Sequence, residues 1–137
     1  DSGNHGIYAV LDQMLWRQDK ERGLGGFVRV GWSRGDRNLF PFYADAGLTW
    51  KGVLPRRKDD TLGLAFACGA FSSGARETLE AEGRTPARTE MALELTYQCQ
   101  VTPWMTLQPD VQWIIHPGGT RDTPNALVLG IRTAVIF

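Results

Sequence analysis

NALVLGIRTAVIF, Asn125 to Phe137, is the stretch whose reading decides the fold. Strand side chains point alternately to opposite faces. Leu127, Leu129, Ile131, Thr133, Val135 and Phe137 therefore share one face, apolar apart from a single threonine. Val128, Gly130, Arg132, Ala134 and Ile136 share the other, with a glycine and an arginine among them. A long strand, greasy on one side and ending flush on an aromatic carboxyl terminus, matches the last strand of an outer-membrane β-barrel. A soluble strand can also end in Phe, so the rest of the chain has to decide.

The same pattern recurs upstream. Seven strands are expected, at Gly6–Trp16, Gly25–Arg34, Tyr43–Val53, Thr61–Phe71, Arg88–Val101, Trp104–His116 and the terminal run. The first alternates poorly, which predicts a bulge or a register change. The others alternate cleanly. In the second, Val28, Val30 and Trp32 oppose Phe27, Arg29, Gly31 and Ser33. In the fifth, Met91, Leu93, Leu95, Tyr97 and Cys99 oppose Glu90, Glu94, Thr96, Gln98 and Gln100. Soluble strands average about five or six residues, whereas tilted membrane strands need about 9 to 11. The second face carries small residues with isolated Asp, Glu, Arg and Gln, which suits a crowded wet lumen better than open water.

Composition agrees with this reading and removes several others. The 137 residues carry 15 basic and 15 acidic side chains, so no global charge draws the chain to nucleic acid. Mean hydropathy is −0.25, with 42% apolar residues. No window is long and apolar enough for a helical span, but barrel strands average out to modest hydropathy. The 16 glycines and 5 tryptophans fit tight turns and interfacial girdles. Trp50, Trp104 and Tyr97 are expected at one interface, Trp32 and Trp113 at the other. The chain begins at Asp1 with no start methionine or signal peptide, which reads as processing or a fragment.

The connections divide into two sets. Residues 17–24, 54–60 and 102–103 lie on the side of Phe137, which a barrel makes periplasmic. Residues 35–42, 72–87 and 117–124 are then extracellular and include the longest connection, as barrels favour.

Chemistry-bearing motifs are sparse. His5 and His116 sit in no metal-ligand spacing, and neither a metal nor a cofactor is expected. Residues 23–26, GLGG, lack the lysine and helix of a phosphate loop and read as a turn. Ser72, Ser73, Gly74 and Thr120 have no triad context and read as loop residues. Glu90 and Glu94 share one face and could serve as an acid/base pair; a polar lumen wall is the preferred reading. Asp110 and Arg132 point inward on neighbouring strands and are expected either to pair or to line a constriction. Cys68 and Cys99 are expected on the apolar face as free, buried thiols, with Cys68 opposite roughly Ala92.

Residues 102–119, TPWMTLQPDVQWIIHPGG, resemble the carbohydrate-selective porin (OprB) family, which typically shows a "PW..LQPD.Q" stretch, an aromatic, and then "I..PGG". Residues 90–100 (EMALELTYQCQ) resemble its "E...E..Y" strand, and residues 126–137 (ALVLGIRTAVIF) its terminal "GxR" strand. Residues 5–17 and 43–67 are similar as well, so the likeness runs in order through nearly the whole chain.

The resemblance implies an all-β, antiparallel transmembrane β-barrel in the bacterial outer membrane. About seven strands lie here, as the C-terminal part of a larger barrel of about sixteen. It implies passive diffusion of glucose and other sugars, with no enzymatic step. The expected partners are sugars, the lipid bilayer and the barrel-assembly machinery, which would read Phe137. Nucleic acid is not expected, and no residue demands a homo-oligomer, although porins often form one. The lumen-wall residues expected to meet sugar are Arg29, Asp45, Lys51, Glu90, Glu94, Gln108, Asp110, Gln112 and Arg132. The competing readings are a structural or adhesive barrel without a pore, an outer-membrane enzyme built on Glu90 and Glu94, and a soluble β-sandwich.

Overall fold

The computed structural model describes residues 3–137. Seven strands form one antiparallel sheet in sequence order: β1 (Gly6–Arg17), β2 (Gly23–Ser33), β3 (Phe42–Lys51), β4 (Thr61–Ala70), β5 (Thr89–Thr102), β6 (Met105–Ile115) and β7 (Ala126–Val135). Each is 10 to 14 residues long. The expected strands are all present, with ends shifted by two residues or fewer. The expected disturbance in β1 is a register shift between Met14 and Trp16.

Two corrections concern local structure. The expected turn at 23–26 is strand: Gly23 and Gly25 pair in β2 with Arg17 and Met14. These glycines are there for clearance. A Cβ on Gly26 would stand 2.9 Å from the Leu15 side chain and 3.2 Å from that of Leu48. The expected loop at 72–87 contains a helix, α1 (Ser73–Ala81), whose N-cap Ser72 side chain accepts from the Ala75 N–H at 3.2 Å. Ser72 followed by ARETLEAE and Gly83 is a legible start and stop signal.

The sheet has two unlike faces, set by register. On one, Val28, Ala46, Phe66, Leu93, Trp113 and Leu127 form a continuous cross-strand row. On the other, the corresponding rows contain Arg29 with Asp45, and Glu94 with Gln112. The apolar face is exposed along its length, Leu11, Val28, Leu64, Leu95 and Leu129 included. A single sheet therefore buries almost no apolar side chain between layers, the inverse of a sandwich.

Burial is instead concentrated where the long connections meet, at the end of the sheet remote from Phe137. Phe71, Ala87, Ser72 and Thr120 are buried there. Pro86 bridges to Thr120, Ala87 N–H donates to Gly119 at 2.7 Å, Arg121 N–H to Thr85 at 2.8 Å, and Ser72 N–H to Leu39 at 3.0 Å. Thr85 N–H donates to the Asp122 carboxylate at 2.6 Å, and this bond leads the causes holding that carboxyl below its usual range. The three connections thus form one cap.

The Phe137 end has a different fastening. Asp60 is 1% exposed. Its carboxylate accepts from Arg57 Nε at 2.7 Å, from Gln100 N–H at 2.9 Å and from the Tyr97 hydroxyl. The turn after β3, with Gly52 at φ 72°, folds back to make this clasp on the apolar side of β5. Arg57 also donates to the Cys99 sulfur. Cys68 pairs with Met91, one residue from the expected Ala92. Both cysteines are free as expected, though half-buried rather than buried, because the sheet is one layer thick.

Candidate functional site: the polar face of the sheet

The mixed face carries two polar ridges separated by a bare strip. The first ridge lies on β2 and β3. Arg29 and Asp45 are cross-strand partners, and the guanidinium grips the carboxylate through Nε at 2.8 Å and through Nη2. Tyr43 donates its hydroxyl to the same carboxylate at 2.7 Å. Asp45 is 6% exposed, while the Arg29 side chain remains 54% exposed. The guanidinium also lies 5.2 Å from the centroid of the Phe27 ring. Phe27 in turn rests on Gly47, where a Cβ would stand 2.6 Å from the ring. Asp45, Tyr43 and Phe27 therefore fix a bidentate, half-exposed cation in one orientation.

The second ridge lies on β5 and β6. Gln112 donates to Glu94 at 3.2 Å and to Asp110 at 3.5 Å. Gln108 donates to the Thr96 hydroxyl at 2.8 Å, and that hydroxyl donates to the Pro109 carbonyl at 3.4 Å. This chain of side-chain bonds has a backbone cause. Pro109 has no N–H, and the β5–β6 ladder lapses opposite Gln108 and Pro109 while the β6–β7 ladder runs on.

Between the ridges, β4 presents Gly63, Ala65, Ala67 and Gly69. Nothing larger than a methyl group projects from it over this length.

Two pairings that the sequence left open are not made. Asp110 does not pair with Arg132. Its partner is Gly130, and the carboxylate lies where a Cβ on that glycine would be. Arg132 stands opposite Gln108. Arg132 and Lys51 have no hydrogen-bond or ion-pair partner among the described residues. Glu90 and Glu94 do not work as a pair either. Glu90 accepts the Gly118 N–H at 2.5 Å in the 3-10 turn Pro117–Gly119, whereas Glu94 is held by Gln112. The sequence reading missed Phe27, Tyr43 and the clasp at Asp60. The first two were legible from register, since Phe27, Arg29, Tyr43 and Asp45 all fall on the mixed face.

A family model for carbohydrate-selective porins matches residues 1–137. This chain belongs to the OprB family. It is 28% identical to Porin B of Pseudomonas aeruginosa over 97% of its own length and 33% of that protein's. It is 23% identical to a putative porin, QuiX, of Acinetobacter baylyi over 97% of its length and 34% of that protein's. Among solved structures it matches the high-pH structure of Pseudomonas putida OprB, with a TM-score of 0.89 and 29% identity over 98% of this chain and 36% of the other. The chain therefore spans about a third of the length of the relatives it matches. Within the OprB fold the seven antiparallel strands match a section of barrel wall. The soluble sandwich is set aside by the exposed apolar face and by this membership.

Proposed function

We propose that this chain forms lumen wall in an outer-membrane channel through which carbohydrates diffuse passively. The observation that carries the proposal is the Arg29 guanidinium, half-exposed on the lumen face, stacked on Phe27 and locked by Asp45 and Tyr43. Sugars have hydroxyls on their rims and apolar C–H faces. A fixed guanidinium offers planar donors to the first, and an aromatic edge lies beside it for the second. The opposite ridge offers acceptors at Glu94 and Asp110 and amides at Gln108 and Gln112. Lys51 and Arg132, without ion-pair partners among the described residues, add cations toward the Phe137 end. A solute crossing between the ridges trades water for these groups without a covalent step. Transit then requires binding strong enough to enter and weak enough to leave.

The test is sugar flux through the product of the complete native gene, reconstituted in liposomes. Swelling in glucose is expected to exceed swelling in an uncharged, non-sugar solute of similar size. Arg29→Ala should reduce that preference by roughly tenfold, about 1.4 kcal/mol, consistent with loss of a charged hydrogen bond. Absence of sugar flux in the unsubstituted protein would overturn the channel reading.

The carboxyl terminus has a second proposed role. Phe137 is fully exposed beyond β7, whose outward face is apolar to its end. The barrel-assembly machinery would read that residue and face. Deleting Phe137 is expected to lower the amount of folded barrel in the outer membrane severalfold; unchanged assembly would remove the assignment.

A further inference from the structure

The connection cap contains a groove that the channel wall does not use. It has a volume of about 410 Å³ and is lined by Leu39, Phe40, Phe71, Thr78, Leu79 and Glu90. That is within the range of small-molecule sites, roughly 300–1,000 Å³.

Its aromatic shelf is positioned from beneath. Phe40 lies against the lumen side of Gly69, where a Cβ would stand 2.7 Å from the ring. Phe71 covers Gly119, where a Cβ would stand 2.5 Å from it. The two ring centroids are 4.6 Å apart, tilted by 46°. Leu79 and Thr78 of α1 supply the facing wall. At the floor, one oxygen of Glu90 takes the Gly118 N–H, and the other has no partner among the described residues. Glu90 and Gly69 are cross-strand partners on the lumen face, so the groove overhangs the channel mouth.

The composition of the groove accommodates a neutral sugar. An aliphatic or aromatic ligand would gain nothing from a carboxylate on the floor, and an anion would be repelled by it. A neutral pyranose has both an apolar face for the Phe40 ring and hydroxyl donors for Glu90. We propose that this groove is an entry site that captures a neutral sugar before it reaches the Arg29 ridge. The inference rests on the sugar-channel reading and adds to it a second, peripheral binding step. The cap's backbone bonds preform the site, so capture needs no loop closure.

The experiment measures sugar flux against concentration through the complete native gene product in planar bilayers, using glucose. Phe40→Leu keeps the apolar contact over Gly69 but removes the ring face. It is expected to raise the half-saturating glucose concentration roughly two- to tenfold, the value of one aromatic contact. Phe40→Tyr should restore it, which a merely structural role of the ring in the cap would not require once Phe40→Leu is shown to fold. Glu90→Gln keeps an acceptor for Gly118 N–H but removes the charge, and should raise half-saturation by a similar factor. If Phe40→Leu does not give a folded, heat-modifiable barrel, Glu90→Gln decides. Sugar flux with unchanged half-saturation in a folded variant overturns the entry site and leaves the channel intact. No sugar flux in the unsubstituted protein overturns both.

Discussion

Gly130 is opposite Asp110 on neighbouring strands, and its lack of a side chain is what admits that carboxylate to the wall. A methyl group there meets both carboxylate oxygens, so Gly130→Ala should turn the Asp110 side chain aside and break its contact with Gln112, at a cost of about 0.5–1.5 kcal/mol. Asp110→Ala removes the same contact, and the double variant should lose little more than Asp110→Ala alone. Urea midpoints of the folded barrel in detergent measure this directly, and additive single-variant losses would disprove the coupling. The pairing also explains part of what was legible. The sequence marks Asp110, Gly130 and Arg132 as inward residues by period alone. It leaves open whether the two charges meet or line a constriction, because the register of β6 against β7 cannot be read to a single residue. A shift of two positions puts Gly130, not Arg132, beneath Asp110.

At the scale of elements, the strands were readable and the connections were not. Alternation over ten or more residues identifies each of β2 to β7, and its failure in β1 marks the register shift between Met14 and Trp16. The α1 helix was obscured because a loop was expected between long barrel strands, although its cap and helix formers are plain. The clasp at Asp60 was invisible for a different reason: it joins residues 57, 60, 97 and 100, and only the fold brings them together. Replacing Asp60 with Ala strands a guanidinium, a hydroxyl and a backbone N–H in a buried place, and should cost roughly 2–4 kcal/mol. Burial pushes the Asp60 carboxyl up. The Tyr97 hydroxyl, Arg57 and the Gln100 N–H outweigh it together and hold the carboxyl below the ordinary range. A depressed carboxyl contributes fully above its unfolded value, about 3.9, and the contribution fades as pH falls through the lower folded value. Stability of the wild type should therefore drop below about pH 4 by more than that of Asp60→Asn. Equal acid sensitivity in the two proteins would count against the clasp.

The molecule as a whole is a sheet with two free edges. β1 and β7 lie at opposite ends of the strand order and, seven being odd, run in the same direction, so they cannot close an antiparallel barrel on each other. An odd number of further strands is required for closure. Residues 1–137 produced alone should yield no stable ohmic conductance in a planar bilayer, whereas the complete native gene product should. A steady channel from the 137 residues alone would refute this.

The bare inward strip of β4 has a consequence for sieving. Flexible side chains make soft limits, since a large solute can push them into another rotamer. Phe40 covers Gly69 and the Thr96 methyl covers Gly63, but over Ala65 and Ala67 the limit is the strand itself, held in register on both sides. In the proposed channel that flank would give the passage a hard edge, set by groups that never bond to the solute. Lengthening one of these side chains, as in Ala65→Leu, should act as a filter change: trisaccharide passage lost before monosaccharide passage is slowed. Evolution could tune molecular-weight cut-off here by single methyl groups while leaving the chemistry of recognition alone.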